Sequence, residues 1–271
     1  MQTDQAAVRG PERAGWTGWA DRAGPAALGV AGVVSLLLLW QLLGTLDVVP
    51  RSSLPGPWSV LGALPTILGD GDFLAGAVDS AAATGITVLV GSLVAVAVGL
   101  VASSFAFLQR PTMVVVNTFR SVPATALIPI GVLIFGLGME MKVSIALYAV
   151  VWPILINTIY GVATTEPMRR DVARSLRWGW WRQQALVTLP SALPSILTGV
   201  RVAVGIALVV VISTELLGAR YGVGTVLVQY TQASRPEVVY AGVLLLGTAG
   251  ALLFSALVRA ERRLVRWVAH D

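Results

Sequence analysis

The sequence predicts an all-α protein, a polytopic membrane helix bundle with six transmembrane helices. Three observations predict it. Hydrophobic residues make up 56% of the 271 and charged residues only 12%, at a mean hydropathy of +0.78. A soluble domain runs at about 45–50% apolar and about 25% charged. Half the usual charge cannot keep a whole surface in water. That excludes a cytosolic enzyme, a nucleic-acid binder and a disordered chain. The second observation is a series of uncharged runs, each long enough for the roughly 20 apolar residues that cross a bilayer. The third is a bias of arginine towards alternate loops.

The elements follow in order. A tail at 1–25, dominated by Ala, Gly, Pro and Arg, carries no packing pattern. The first run lies between Arg22 and Asp47 and gives a helix at 26–47. The polar stretch before it and its own length mark a retained helix, not a cleaved signal. The second run, 80–109, can span with tilt. Its Gly91, Ala95, Gly99 and Ser103 recur every four residues. Such a smooth stripe serves either packing inside the bundle or a contact between subunits. The third follows Arg120 and reaches Met139, with an earlier half at 111–119. It holds Pro123 and Pro129 and ends in Gly131, Gly136 and Gly138. Proline in a membrane helix frees carbonyls and kinks the rod, which is tolerated where the freed groups face protein or a water-filled path. This span therefore reads as one that lines something. The fourth runs from 143 to 165. The fifth starts near Thr198, passes Arg201 and meets Glu215. The sixth, 238–258, repeats the small-residue device with Gly247, Ala251 and Ser255.

A net charge of +5 and a pI of about 10.2 would suggest nucleic acid in a soluble protein. Here the placement of the charge reports orientation instead. With the N-terminus in the cytosol, thirteen arginines fall in inner segments, among them Arg9, Arg22, Arg110, Arg174 and Arg262. Four basic residues fall outside: Arg51, Lys142, Arg220 and Arg235. Arg120 and Arg201 lie near inner helix ends and can snorkel. Both termini are then cytosolic, the C-terminal tail being 261–271. Trp16, Trp19, Trp178, Trp180, Trp181 and Trp267 fall near the inner boundaries, where amphipathic rings settle.

The longest internal cytosolic segment is 166–195. Arg170, Arg174 and Arg177 fall at i, i+4 and i+7 on one helix face, and Val172, Leu176 and Trp180 on another. That makes a short amphipathic helix with a basic stripe, which Pro190 and Pro194 stop before the fifth span. On pattern alone two readings are open. The helix lies on anionic lipid, or it docks into a partner's groove.

The segment resembles the cytoplasmic EAA loop of binding-protein-dependent ABC importer permeases. That loop reads Glu-Ala-Ala, three residues, Gly, nine residues, then an aliphatic, any residue and Leu-Pro. Asp171, Val172 and Ala173 take the opening positions, and Val187, Leu189 and Pro190 the closing ones. The run 121–130 with Gly136, Leu137 and Gly138 is similar to the third span of the nitrate/sulfonate/taurine-type permeases. Leu197 to Arg201, Glu215 to Gly218 and Tyr221 to Gly224 resemble their fifth span and the loop after it. Val239 to Gly242 and Glu261 to Arg263 resemble their last span and exit. The likeness covers 79–267. One departure stands out: the family's loop glycine falls on Arg177, with Gly179 two residues later. Either the turn shifts to Gly179, or the contact with the ATPase differs.

The resemblance implies a type I ABC importer transmembrane domain, here at 76–260. It also implies an ABC ATPase pair, a periplasmic or lipid-anchored substrate-binding protein and a second permease copy, as a homodimer. Asp171, Ala173, Arg174, Arg177, Gly179, Leu189 and Pro190 are then the residues of coupling to the ATPase. Pro123, Pro129 and Glu215 are the residues of the translocation path. The cargo it implies is a small anion such as a sulfonate, taurine or nitrate.

The residues alone say where the energy is not. A P-loop needs Gly-Lys followed by Ser or Thr. The single lysine, Lys142, stands between Met141 and Val143. No nucleotide cofactor is expected in this chain, so ATP and magnesium would belong to a partner. The alternative is an ion-driven secondary transporter, which places ionisable groups at mid-membrane. Glu215 is the candidate, about 20 Å along the helix from Arg201. It faces a cavity or a partner, or it pairs with Arg220 at the helix end. Enzymatic chemistry has no footing. There are no cysteines, and the one histidine, His270, is next to last, which leaves no triad and no His-based metal site. Asp70, Asp72 and Asp79 read as a solvated outer loop.

Overall fold

The computed structural model describes residues 25–46, 50 and 52–264. The expected tails therefore lie largely outside the described residues, as do Trp16, Trp19, Trp267 and Arg51. Every element among the described residues is helical. Contacts divide the chain into two units, 1–59 and 60–271. The first holds α1 (Pro25–Thr45), apolar and long enough to cross a membrane. Within that unit the Trp40 indole N–H donates to the Pro55 carbonyl at 3.1 Å.

The second unit begins inside α2 (Pro57–Leu68) and continues with α3 (Gly71–Ser104), α4 (Ala106–Phe119), α5 (Ile128–Phe135) and α6 (Met139–Ala163). Then come α7 (Pro167–Ser175), α8 (Trp180–Gln183), α9 (Leu189–Leu217), α10 (Val223–Gln232) and α11 (Pro236–Leu264). Among the described residues, five helical stretches are long and apolar enough to span, or six if the bent pair α4–α5 counts as one.

The core is a three-helix contact of α3, α6 and α9, made close by small residues. A Cβ on Gly91 would come within 2.6 Å of Val150, and one on Gly99 within 2.7 Å of Thr158. The α3 stripe thus packs inside the bundle against α6. Gly161 and Gly199 do the same where α6 crosses α9, each leaving no room for a methyl group. Close backbone approach replaces the hydrophobic drive that lipid does not supply. The α11 stripe behaves differently: Ala251 is exposed and a Cβ on Gly247 meets nothing.

Two expectations need correction and one is sharpened. The kink that proline implies in the third span is abrupt: α4 and α5 meet at 74°. Arg120 to Pro123 form the turn, Pro123 opens a single 3-10 turn over Ala124–Leu127, and Pro129 sits in the first turn of α5. There it costs no hydrogen bond. Next, Pro190 and Pro194 do not stop a helix. Pro190 lies in the first turn of α9 and Pro194 inside it, so helix runs on from Trp180 to Leu217. A π-helical turn at Gln184–Thr188 precedes Pro190; a widened turn gives its ring the room that an α turn denies. Finally, Lys142 and Asp79 are not loop residues. Lys142 lies in the first turns of α6, and Asp79 lies inside α3.

Candidate functional site: a buried ionic clasp and an exposed loop

Near one end of the bundle, α3, α6 and α9 meet around an ammonium group. The Lys142 side chain is 1% exposed. Its three N–H groups have three partners: the Asp79 carboxylate, Glu215 Oε1 at 2.9 Å and the Tyr221 carbonyl at 2.9 Å. Glu215 is fully buried, and Asp79 is 28% exposed. The Glu215 carboxylate also accepts from Ser80 Oγ at 2.7 Å and from the Gly224 N–H at 3.0 Å. Ser80 Oγ in turn accepts from the Val223 N–H at 3.0 Å. A buried charge is costly unless paired and hydrogen-bonded, and here every group has its partner.

The loop after α9 closes over this carboxylate, which explains its glycines. Gly222 has φ +126, and a Cβ there would lie 2.1 Å from Glu215 Cδ. A Cβ on Gly224 would lie 2.7 Å from Glu215 Cβ, and one on Gly76 of α3 would strike the Gly222 backbone at 2.8 Å. Glu215 to Gly218 and Tyr221 to Gly224 therefore form one built unit. Glu215 pairs with Lys142, not with Arg220 as the helix-end reading had it. The cluster holds two carboxylates and one ammonium, with Asp79 facing a cavity of about 380 Å³ that Asp72, Arg220 and Gln229 also line.

A hydrogen bond beside it ties α10 to the start of α3. The Tyr230 hydroxyl donates to Asp70 Oδ2 at 2.7 Å. That bond holds the Asp70 carboxyl below its usual range and pushes the Tyr230 phenol up. Asp70 also caps α3, accepting from the Asp72 N–H at 2.9 Å.

The other end carries the loop. α7 is nine residues long and is followed by a reversal. Arg177 N–H donates to the Arg174 carbonyl at 2.8 Å, and Trp178 N–H to the Ala173 carbonyl at 3.1 Å. These two bonds are a Schellman cap, whose left-handed position favours glycine. That position is Arg177, at φ +53. The turn has therefore not shifted to Gly179, whose φ is −65 and whose missing Cβ would meet nothing. The single amphipathic helix expected here is thus broken. Arg170 and Arg174 share α7, but Arg177 lies in the turn and Trp180 in α8. Asp171, Arg174, Arg177, Gly179 and Pro190 are exposed, Ala173 is buried, and Leu189 packs partly buried against Val162, Ala192 and Ile196. Asp171 and Arg174 pair at 3.3 Å in solvent, which adds little stability. Between α7 and the start of α9 lies a cavity of about 490 Å³, lined by Val172, Ala173, Trp178, Leu186 and Pro190 among others.

Arg201 does not snorkel freely. It pairs with Glu261 at 3.0 Å, and the Thr198 hydroxyl reaches the same carboxylate at 3.3 Å. The motif residues of the fifth span and of the exit thus meet each other. Pro123 and Pro129 are exposed on the α4–α5 elbow, while Glu215 is sealed in the clasp. Sequence reasoning passes over Lys142, Asp79 and Ser80. The available signal was that a sole lysine and a carboxylate each border an apolar run and need partners. Among the described residues, no group of three or more His, Cys, Asp or Glu could hold a metal.

The family model of the binding-protein-dependent transport system inner membrane component matches residues 88–269. The aliphatic sulfonates transport permease protein SsuC of Bacillus subtilis (strain 168) is 29% identical, over 86% of this chain and 84% of its own length. The taurine transport system permease protein TauC of Escherichia coli (strain K12) is 30% identical, over 89% of each. Among solved structures, a chain of the MetNI methionine ABC transporter, in an inward-facing conformation, superposes with a TM-score of 0.64. The identity is 20%, covering 72% of this chain and 96% of that one, a likeness of fold.

Proposed function

The chain belongs to the family of binding-protein-dependent transport system inner membrane components, and from that premise we propose that it forms the path for a small anion in an ATP-driven importer. A sulfonate or taurine-like solute is the cargo that its relatives' names favour. ATP and magnesium are bound by a separate pair of ATPase subunits. A substrate-binding protein delivers the solute outside, and a second copy of this chain completes the path. Both termini and the α7 loop then face the cytosol.

One observation carries this reading. A capped, exposed α7 with the Asp171 to Pro190 pattern stands in a chain whose only lysine is buried in a clasp. That lysine is not free to serve a P-loop, which supports an energy source docked from outside the chain, with α7 as the dock. Closure of the ATPase pair on ATP would move α7 and α8 through the reversal at Arg177. The α3–α6–α9 core would transmit that motion, and the α4–α5 elbow with Pro123 and Pro129 would open one side or the other. This is a population shift driven by differential binding of ATP. Glu215 would act through the clasp at the outer end of the path. Its ion pair with Lys142 also disfavours a free proton relay, hence the ion-driven alternative.

The test is uptake into vesicles holding this chain, its ATPase and its binding protein. Uptake of a sulfonate that needs internal ATP is the expected result. Uptake by this chain alone, abolished by an uncoupler, would overturn it.

A further inference from the structure

Four buried side-chain atoms at the loop end have no hydrogen-bond partner: Ser103 Oγ, Arg170 Nε, Trp180 Nε1 and Gln184 Oε1. All four belong to residues that line one cavity of about 140 Å³. They come from three separate places in the chain: the end of α3, α7, and α8 with the π turn. Three are N–H or O–H donors. Arg174 lines the same cavity, and no carboxylate does. The neighbouring polar atoms are already engaged. Another nitrogen of Arg170, Nη2, donates to the Val162 carbonyl, and Gln184 Nε2 donates to Ser104 Oγ at 3.2 Å.

Buried polar atoms left unpaired are costly, and four in one small cavity are not scattered defects of packing. A guanidinium N–H, an indole N–H and a hydroxyl, in a cavity that no carboxylate lines, select an anion. The volume lies well below the roughly 300–1,000 Å³ of sites for drug-sized ligands, so it suits a single tetrahedral group. We propose that this cavity binds a phosphate-type oxyanion, which joins the end of α3 to α7 and α8. The placement favours the headgroup phosphate of an anionic lipid over a free ion. Trp178, Trp180 and Trp181 cluster here at the end of an apolar span, where indoles mark the membrane boundary, and basic pockets between helices at that depth take lipid phosphates. Gln184 Oε1, the one acceptor of the four, can receive the O–H of a protonated phosphate oxygen or of a water beside it. A bound phosphate would fix the angle between the loop and the bundle.

The test needs only the purified full chain. Its unfolding midpoint is followed while inorganic phosphate replaces chloride at constant ionic strength in detergent. The same measurement is made in nanodiscs of phosphatidylcholine, with and without phosphatidylglycerol. A saturable rise with phosphatidylglycerol is expected; a rise with inorganic phosphate as well assigns the site to oxyanions in general. Arg170→Gln and Trp180→Phe should each weaken the response about tenfold, the loss of one charge-assisted or buried donor. Trp180→Phe keeps the ring, and Ser103→Ala supplies a third donor deletion should either variant fold poorly. Failure of both phosphate sources to move the midpoint would overturn the site. So would variants that respond as the parent does. Neither result depends on an ATPase or on uptake, so the site can fail while the transport reading stands.

Discussion

The two ends of α3 are built on opposite principles. Near Asp79 and Ser80 each charge and donor of the clasp finds a partner inside the chain, and three glycines are required for it to close. About 36 Å away along the same helix, around Ser103 and Ser104, four buried polar atoms lack partners. There an arginine also occupies a position made for glycine. The clasp end is internally complete. The loop end leaves its bonding capacity for something outside the chain. That is the division expected of a machine driven from one side, with a stiff fulcrum and an adaptable dock.

The largest predicted effect breaks the clasp. Lys142→Met leaves two carboxylates without their cation, and removing one member of a buried pair costs about 3–5 kcal/mol. A large fall in the unfolding midpoint of the purified chain checks it, and an unchanged midpoint would show that Asp79 and Glu215 do not need the ammonium. Gly222→Ala comes next. It combines a methyl group 2.1 Å from Glu215 Cδ with a φ of +126, and should cost about 2–4 kcal/mol. The Gly179→Ala counterpart at the loop end should stay within about 0.5 kcal/mol.

Smaller effects sharpen the contrast. Arg177→Gly should stabilise by about 1 kcal/mol, because the left-handed position then carries no side-chain strain. Chemical unfolding of the pair of proteins reads this difference, and a loss of stability would mean that the arginine has a compensating contact. Tyr230→Phe should cost about 1 kcal/mol and change the acid profile. The folded Asp70 carboxyl is held below its unfolded value, so its contribution is present above the unfolded pKa and lost as pH falls through the folded one. The variant should be less sensitive to acid across that window.

Much of this was legible in the sequence, for reasons specific to each region. The spans were legible because lipid demands length and apolarity, both local properties. The loop was legible as a pattern because its residues are contiguous, but its turn was not: one helix was expected through Arg177 and Trp180, and the left-handed reversal falls on Arg177 and not on Gly179. The clasp was not. Lys142 lies 63 residues from Asp79 and 73 from Glu215, and no periodicity reports which helices will meet. That the third span bends was legible from its prolines, but not by how much, because composition gives the apolar length of a span and not its angle, and the 74° lies in the few residues around Pro123. The continuity of α9 through Pro190 and Pro194 was hidden for the converse reason. Proline weakens a helix on average, but a first turn and a widened turn before it tolerate the ring.

In the proposed importer the α7 end would meet the ATPase and the clasp end would not. The chain has no cysteines, so a single introduced thiol is unambiguous. Val172→Cys on exposed α7 and Tyr221→Cys beside the clasp can each be cross-linked in the assembled complex. The thiol at 172 is expected to couple to the ATPase subunit and the thiol at 221 is not; coupling at 221 and none at 172 would overturn the assignment of α7 as the dock.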